Sequence, residues 1–202
     1  MVDVGRFIVA LEMLLLPVWV GLVGVRPPKG LALRLVLAPA PVLLVAAGLV
    51  ILAAVGGEDV DAGGLLRSQS VAVGFAVLLS GVAALADRLA GPRVGQFATA
   101  ILGWAVVAGV ILAGPVPDMA DDPVRTAVVR AVVQGNPLVV AEHELGLRWL
   151  RQDLTYRWTG LGESYSYLFG QLAWWKTLLA HLFVGSGLAV FSIRRGGAEP
   201  RP

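Results

Sequence analysis

Long apolar runs separated by short clusters of charge, glycine and proline set the layout of the chain. The first run, residues 7–25, holds Glu12 and Pro17 and is broken by Arg26, Pro27, Pro28, Lys29 and Gly30. The second, 35–55, contains Pro39 and Pro41 and is followed by an acidic, glycine-rich turn through Glu58, Asp59, Asp61 and Gly64. The third, 71–86, stops at Asp87, Arg88, Pro92 and Arg93, and the fourth, 97–114, stops at Pro115, Pro117, Asp118, Asp121 and Asp122. The last, 177–193, closes on Arg194 and Arg195. None alternates with the period of two expected of a membrane β-strand. Several approach or exceed the ~18 residues with which a helix crosses about 30 Å of hydrocarbon. The pattern predicts an all-α integral membrane protein with a bundle of about five transmembrane helices.

The interval between the fourth and fifth runs differs in kind. It carries Trp149, Tyr156, Trp158, Tyr165, Tyr167, Phe169, Trp174 and Trp175, more than half of the aromatic side chains. Trp and Tyr gather where an apolar body and a polar tip are both satisfied, at the membrane–water interface. Its earlier part reads as two short helices. In the first, Arg125 and Arg130 oppose Val128, Val129, Val132 and Val133; in the second, Glu144 and Arg148 form an i, i+4 pair. Gly135-Asn136-Pro137 joins them, with Gly closing one helix, Asn136 capping the next and Pro137 in its first turn. Apolar pieces of about ten residues are too short to cross, so the pair either lies on the surface or dips in and returns. The expected organisation is a four-helix transmembrane region over 1–114, an extracytoplasmic interfacial cap over 115–176, and a last helix with a basic tail over 177–202.

Charge orients these elements. One set of loops holds Arg26, Lys29, Arg34, Arg88, Arg93, Arg194, Arg195 and Arg201; the other holds Glu58, Asp59, Asp61, Arg67, Asp118, Asp121 and Asp122. Positive residues stay cytoplasmic. The N-terminus and cap are therefore expected outside and the C-terminus inside, in a bacterial inner (cytoplasmic) membrane; Arg6 is the one discordant charge.

Composition agrees. Of 202 residues 57% are apolar and 15% charged, against about 25% charged in average soluble chains, and mean hydropathy is +0.77. A net charge of +2 with arginines spread over loops argues against a nucleic-acid partner. Without cysteine there is no disulfide, thiolate metal site or Fe–S cluster. Val25-Arg26-Pro27-Pro28 offers no small-residue cleavage site, so the first run reads as a retained anchor.

Candidate chemistry is sparse. His143 sits between Glu142 and Glu144, but a zinc-binding helix needs a second His four residues on, where Leu147 stands. His181 lies about one turn inside the last run, and two histidines with no supporting ligands predict no metal or cofactor. Gly185-Ser186-Gly187 is similar to the serine motif of intramembrane rhomboid proteases, yet neither histidine is placed as its base, and close helix packing is the better account. Small residues also recur every fourth position at Ala76, Ser80 and Ala84 and at Ala105, Gly109 and Ala113. Glu12, about 8 Å along a helix beginning at Phe7, is expected to reach the outer headgroups. Asp122, Asp153 and Glu163 read as solvated loop acids, so no catalytic residue is expected. No Gly-Lys-Ser/Thr phosphate loop occurs, so the chain is not itself an ATPase.

Gly135-Asn136-Pro137-Leu138, the following helix with Arg148, the aromatic segment, and a last run ending Phe191-Ser192-Ile193-Arg194-Arg195 resemble the C-terminal part of ABC-2-type transporter membrane subunits. The resemblance covers roughly the last third of the chain and its motif is short. In that family an Asn-Pro-Leu-like motif opens external re-entrant helices before the final span. The resemblance implies a non-catalytic, membrane-spanning permease subunit of an export system, a homo- or hetero-oligomer working with a separate ATPase. It makes Asn136, Pro137, Glu144 and Arg148 cap or gating candidates, and Arg88 and Arg93 partner-facing ones; Glu12 and His181 are the intramembrane polar residues. The family has six spans and a cytoplasmic N-terminus, so this chain corresponds to one lacking the first span. A structural or accessory subunit of a larger membrane complex, docking through the cap, is the alternative.

Overall fold

The computed structural model describes residues 2–25, 37–56, 61–112, 122–146 and 172–194. These form seven helices and, among the described residues, no strand: α1 (Val2–Val25), α2 (Ala40–Gly56), α3 (Ala62–Ala90), α4 (Pro92–Leu112), α5 (Asp122–Gly135), α6 (Pro137–Glu144) and α7 (Trp174–Arg194). The all-helical class is as expected. Two described helices, Ala62–Ala90 and Trp174–Ser192, are both long and apolar enough to cross a bilayer, and Ile8–Val23 and Ala40–Ile51 are shorter apolar stretches. The expected number was about five. Helix α2 has only 17 residues, and α4 spends its first turns on Arg93 and Gln96.

Helix α3 is the central rod; α1, α2, α4, α6 and α7 all pack on it. It starts nine positions before the apolar run that announced it, because Asp61 caps it by accepting a 2.9 Å hydrogen bond from the Gly64 amide. Gly91 ends it with φ +86°, a left-handed conformation that favours glycine. Pro92 then opens α4, where a missing N–H costs nothing.

Side-chain contacts give the helix directions. Trp104 Nε1 donates to the Leu14 carbonyl at 2.9 Å, Gly103 faces Pro17, and Gly21 faces the Gln96 carbonyl, so α1 and α4 are antiparallel. Gly74 faces Leu178, Phe75 the ring of His181, and Gly81 Gly185; further along, Arg88 donates to the Ser192 carbonyl. Helices α3 and α7 are thus parallel and form the most extensive contact of the bundle. At its centre a Cβ on Gly81 would collide with the Gly185 carbonyl, and one on Gly185 would lie 2.6 Å from the Val77 carbonyl. Backbone meets backbone there. The fourfold rows do less than their spacing promised. Ala76 and Ser80 are buried, but Ala105 is exposed and Gly109 has no neighbour within 4 Å.

Val9, Met13, Leu16 and Val20 of α1 repeat at helical spacing and bury against Ala72, Phe75, Ala76 and Leu79 of α3, with Val42, Val107, Leu138 and Ala141 closing the cluster. The outward faces are apolar as well: Leu22, Leu44, Ile51, Phe97, Leu179 and Phe183 are all more than half exposed. Meanwhile Glu12, Ser68, Gln69, Asn136, Glu142, Thr177 and His181 are buried. Apolar outside and polar within is a distribution suited to lipid or to a protein partner, not to water.

Candidate functional site: a buried helical hairpin

Gly135-Asn136-Pro137 folds α5 back into α6, and Asn136 holds the joint. Its backbone is extended, as an N-cap requires, with φ −82° and ψ 115°. Its Oδ1 accepts from the amides of Leu138 (3.0 Å) and Val139 (3.1 Å), and Pro137 occupies the first turn of α6. Its Nδ2 donates to the carbonyls of Val106 (2.9 Å) and Val107 (2.8 Å) on α4. A short side chain with both an acceptor and two donors is what this position uses.

The α7 side is bonded as densely. Gln134 Nε2 donates to the Ala173 carbonyl (2.9 Å) and Thr177 Oγ1 (2.7 Å), while its Oε1 accepts from the Ala173 amide (3.3 Å). Thr177 Oγ1 donates to the Gln134 carbonyl at 2.5 Å. His181 Nε2 stands 3.1 Å from the Gly135 carbonyl. A carbonyl only accepts, so Nε2 carries the hydrogen. Val106 lies about 9 Å before the end of α4 and His181 about 10 Å past the start of α7, at 1.5 Å per residue. The hairpin tip is therefore inserted between the two helices rather than laid across their ends.

A third attachment fixes the far end of α6. Arg67 Nε of α3 donates to Glu144 Oε2 at 2.6 Å, with Asp61 Oδ2 3.9 Å from the same guanidinium. Gly64 lets α6 come close, since a Cβ there would lie 2.5 Å from the Glu144 carbonyl. Every residue of α6 from Pro137 to Glu142 is buried.

Of the residues singled out from sequence, Asn136, Pro137 and Glu144 meet in the hairpin and His181 joins them. Arg148 lies outside the described residues; the carboxylate expected to pair with it is held by Arg67. Arg88 and Arg93 sit at the opposite end of the bundle, both exposed, and Arg88 caps α7 through the Ser192 carbonyl. Glu12, expected at the outer surface, lies inside the bundle. It is 6% exposed and bonded to Gln69 at 3.1 Å, because α1 begins at Val2 and sets it about 15 Å along the helix. Gln134, Thr177, Arg67 and Gln69 were missed. Thr177 and His181 stand four apart on one helix face, and that spacing was a readable signal.

Among the described residues no three His, Cys, Asp or Glu side chains gather as a metal site. Ser80 and Ser192 hydroxyls bond to their own helices, and Ser186 is exposed. The arrangement is a polar joint between helices: it can hold, release and rebond. No protein-family model matches the chain, and no curated protein or solved structure is significantly similar to it.

Proposed function

We propose that this chain is the non-catalytic, membrane-spanning subunit of an ABC-type export system and works with a separate ATPase. The observation that carries the reading is the α5–α6 hairpin, opened by Asn136-Pro137 and inserted between α4 and α7 just before the last helix. In this reading α1, α2, α3, α4 and α7 are five crossings of a bacterial inner membrane, with the N-terminus outside and the C-terminus inside. The common direction of α1, α3 and α7, opposed by α4, is what alternate crossing requires, and the apolar outward faces suit lipid. The hairpin closes the outer end of a pathway formed with a second subunit. Its polar bonds can exchange partners as the helices shift. Arg88 and Arg93, at the other end, face the ATPase.

Purification of the tagged chain in mild detergent tests this reading. Recovery of an ATP-hydrolysing partner, lost on Arg93→Glu, is the expected result; recovery of the folded chain with no ATPase rejects it. Reporter fusions at Asp59 and Tyr165 are expected on the same, external side.

A further inference from the structure

Glu12 is an acid in the interior of the bundle that the hairpin does not use. Glu12 and Gln69 are each 6% exposed, and Gln69 Nε2 donates to Glu12 Oε2 at 3.1 Å. The second oxygen of each side chain, Glu12 Oε1 and Gln69 Oε1, is buried without a hydrogen-bond partner. A carboxylate oxygen and an amide oxygen are both acceptors. Two neighbouring acceptors left unpaired in an apolar core are costly, and one hydrogen resolves both. Carried on Glu12 Oε1, it makes that oxygen a donor and gives Gln69 Oε1 its bond, closing an acid–amide pair.

The described side chains of the packed helices supply no other compensation. Helix α2 has no ionisable residue. On α3, Arg67 is engaged by Glu144 and Asp61, while Asp87 and Arg88 lie at its other end. Helix α4 offers only Arg93, exposed in its first turn. Helix α6 offers buried Glu142, exposed His143, and Glu144 already paired. On α7, His181 bonds Gly135 and Lys176 lies exposed over Trp175. None of the described side chains on α2, α3, α4, α6 and α7 is a lysine or arginine paired with Glu12, and a buried charge without a partner is strongly disfavoured. A metal cation is a poor fit, since hard cations take about six oxygens and the pair offers two free ones.

We propose that Glu12 and Gln69 form a proton-binding site, in which Glu12 holds a hydrogen on Oε1 and shares it with Gln69 Oε1. Binding is the reversible conversion of one carboxylate and one proton to the carboxylic acid. Leu138 and Ala141 of α6 pack in the same cluster as Val9, Met13 and Ala72, which neighbour Glu12 and Gln69 along α1 and α3. The site rests on the packing of the bundle and is independent of the transport reading.

Infrared spectroscopy of the whole chain in lipid vesicles tests it. The wild type is expected to show a protonated-carboxyl C=O band at neutral pH that fades as pH is raised. Glu12→Gln, which keeps an amide at the position, removes the band while helix content is unchanged. Absence of the band, or a band untouched by Glu12→Gln, overturns the proposal. Should that variant lose its helix content, dicyclohexylcarbodiimide labelling of the wild type locates the acid. The carboxylic acid adds across the reagent's C=N bond, its proton moving to nitrogen, and the acyl group then migrates to give a stable N-acylurea. Label on Glu12 supports the site, and label only elsewhere overturns it. A band removed by NaCl but not by choline chloride at equal strength overturns the proton assignment.

Discussion

The α3–α7 crossing and the α5–α6 hairpin are both buried joints of one bundle, made by opposite means. At the crossing, Gly81 and Gly185 remove side chains so that backbones touch. At the hairpin, Asn136, Gln134, Thr177 and His181 place polar atoms against carbonyls of α4, of Ala173 just before α7, and of the hairpin itself. The first joint has one acceptable geometry, since close-packed backbone cannot yield. The second is a set of separable bonds, each worth about 0.5–1.5 kcal/mol net, and it can open stepwise.

The sharpest way to break that contrast is to add a side chain at the crossing. Gly81→Leu is expected to destabilise by about 3 kcal/mol or more through overpacking against backbone, read as a lower melting temperature and less folded protein in detergent. Gly109→Ala, which has open space, is the control and leaves the melting temperature unchanged or slightly raised, since Ala loses less backbone entropy than Gly in a helix.

Loss of the Asn136 side chain ranks next. Asn136→Ala removes the cap of α6, worth about 1 kcal/mol, and two bonds to α4, for a total of roughly 2–4 kcal/mol. Hydrogen exchange is expected to rise first in α6 and only afterwards in α3 and α7. Asn136→Asp separates the contributions: it keeps an acceptor for the cap but turns acceptors toward Val106 and Val107, so it should destabilise without fraying α6.

Smaller again is Glu144→Gln. The Arg67 side chain is 39% exposed and that of Glu144 12%, so the pair is screened on one side and contributes about 1 kcal/mol or less. Amide exchange at the C-terminal turn of α6 is expected to quicken while the melting temperature barely moves. Trp104→Phe, losing one exposed bond to the Leu14 carbonyl, should cost about 0.5 kcal/mol and shift the melting temperature least. Equal sensitivity of crossing and hairpin to these changes would erase the distinction between them.

Legibility in the sequence followed the range of each interaction. The Asn136-Pro137 joint was readable because a cap and a first-turn proline act within three residues. Its partners were not, since Val106 and His181 are brought to it only by tertiary packing. Arg67 and Glu144 are 77 positions apart, and nothing local favours that match over the i, i+4 pairing with Arg148. Small residues at fourfold spacing said that a helix could approach closely there, but not which face a neighbour would occupy. The depth of Glu12 turned on one helix boundary: α1 begins at Val2, five residues before the apolar run that starts at Phe7.

The parallel seating of α7 on α3 bears on how the molecule is made. A ribosome delivers the central rod well before its main neighbour, which follows the whole aromatic interval. Until then the glycine-lined groove along Gly74 and Gly81 stands open in the nascent chain, vulnerable to any other helix with a small-residue stripe. Emergence of α7, rather than insertion of the first helices, is the step that commits this bundle to its final form.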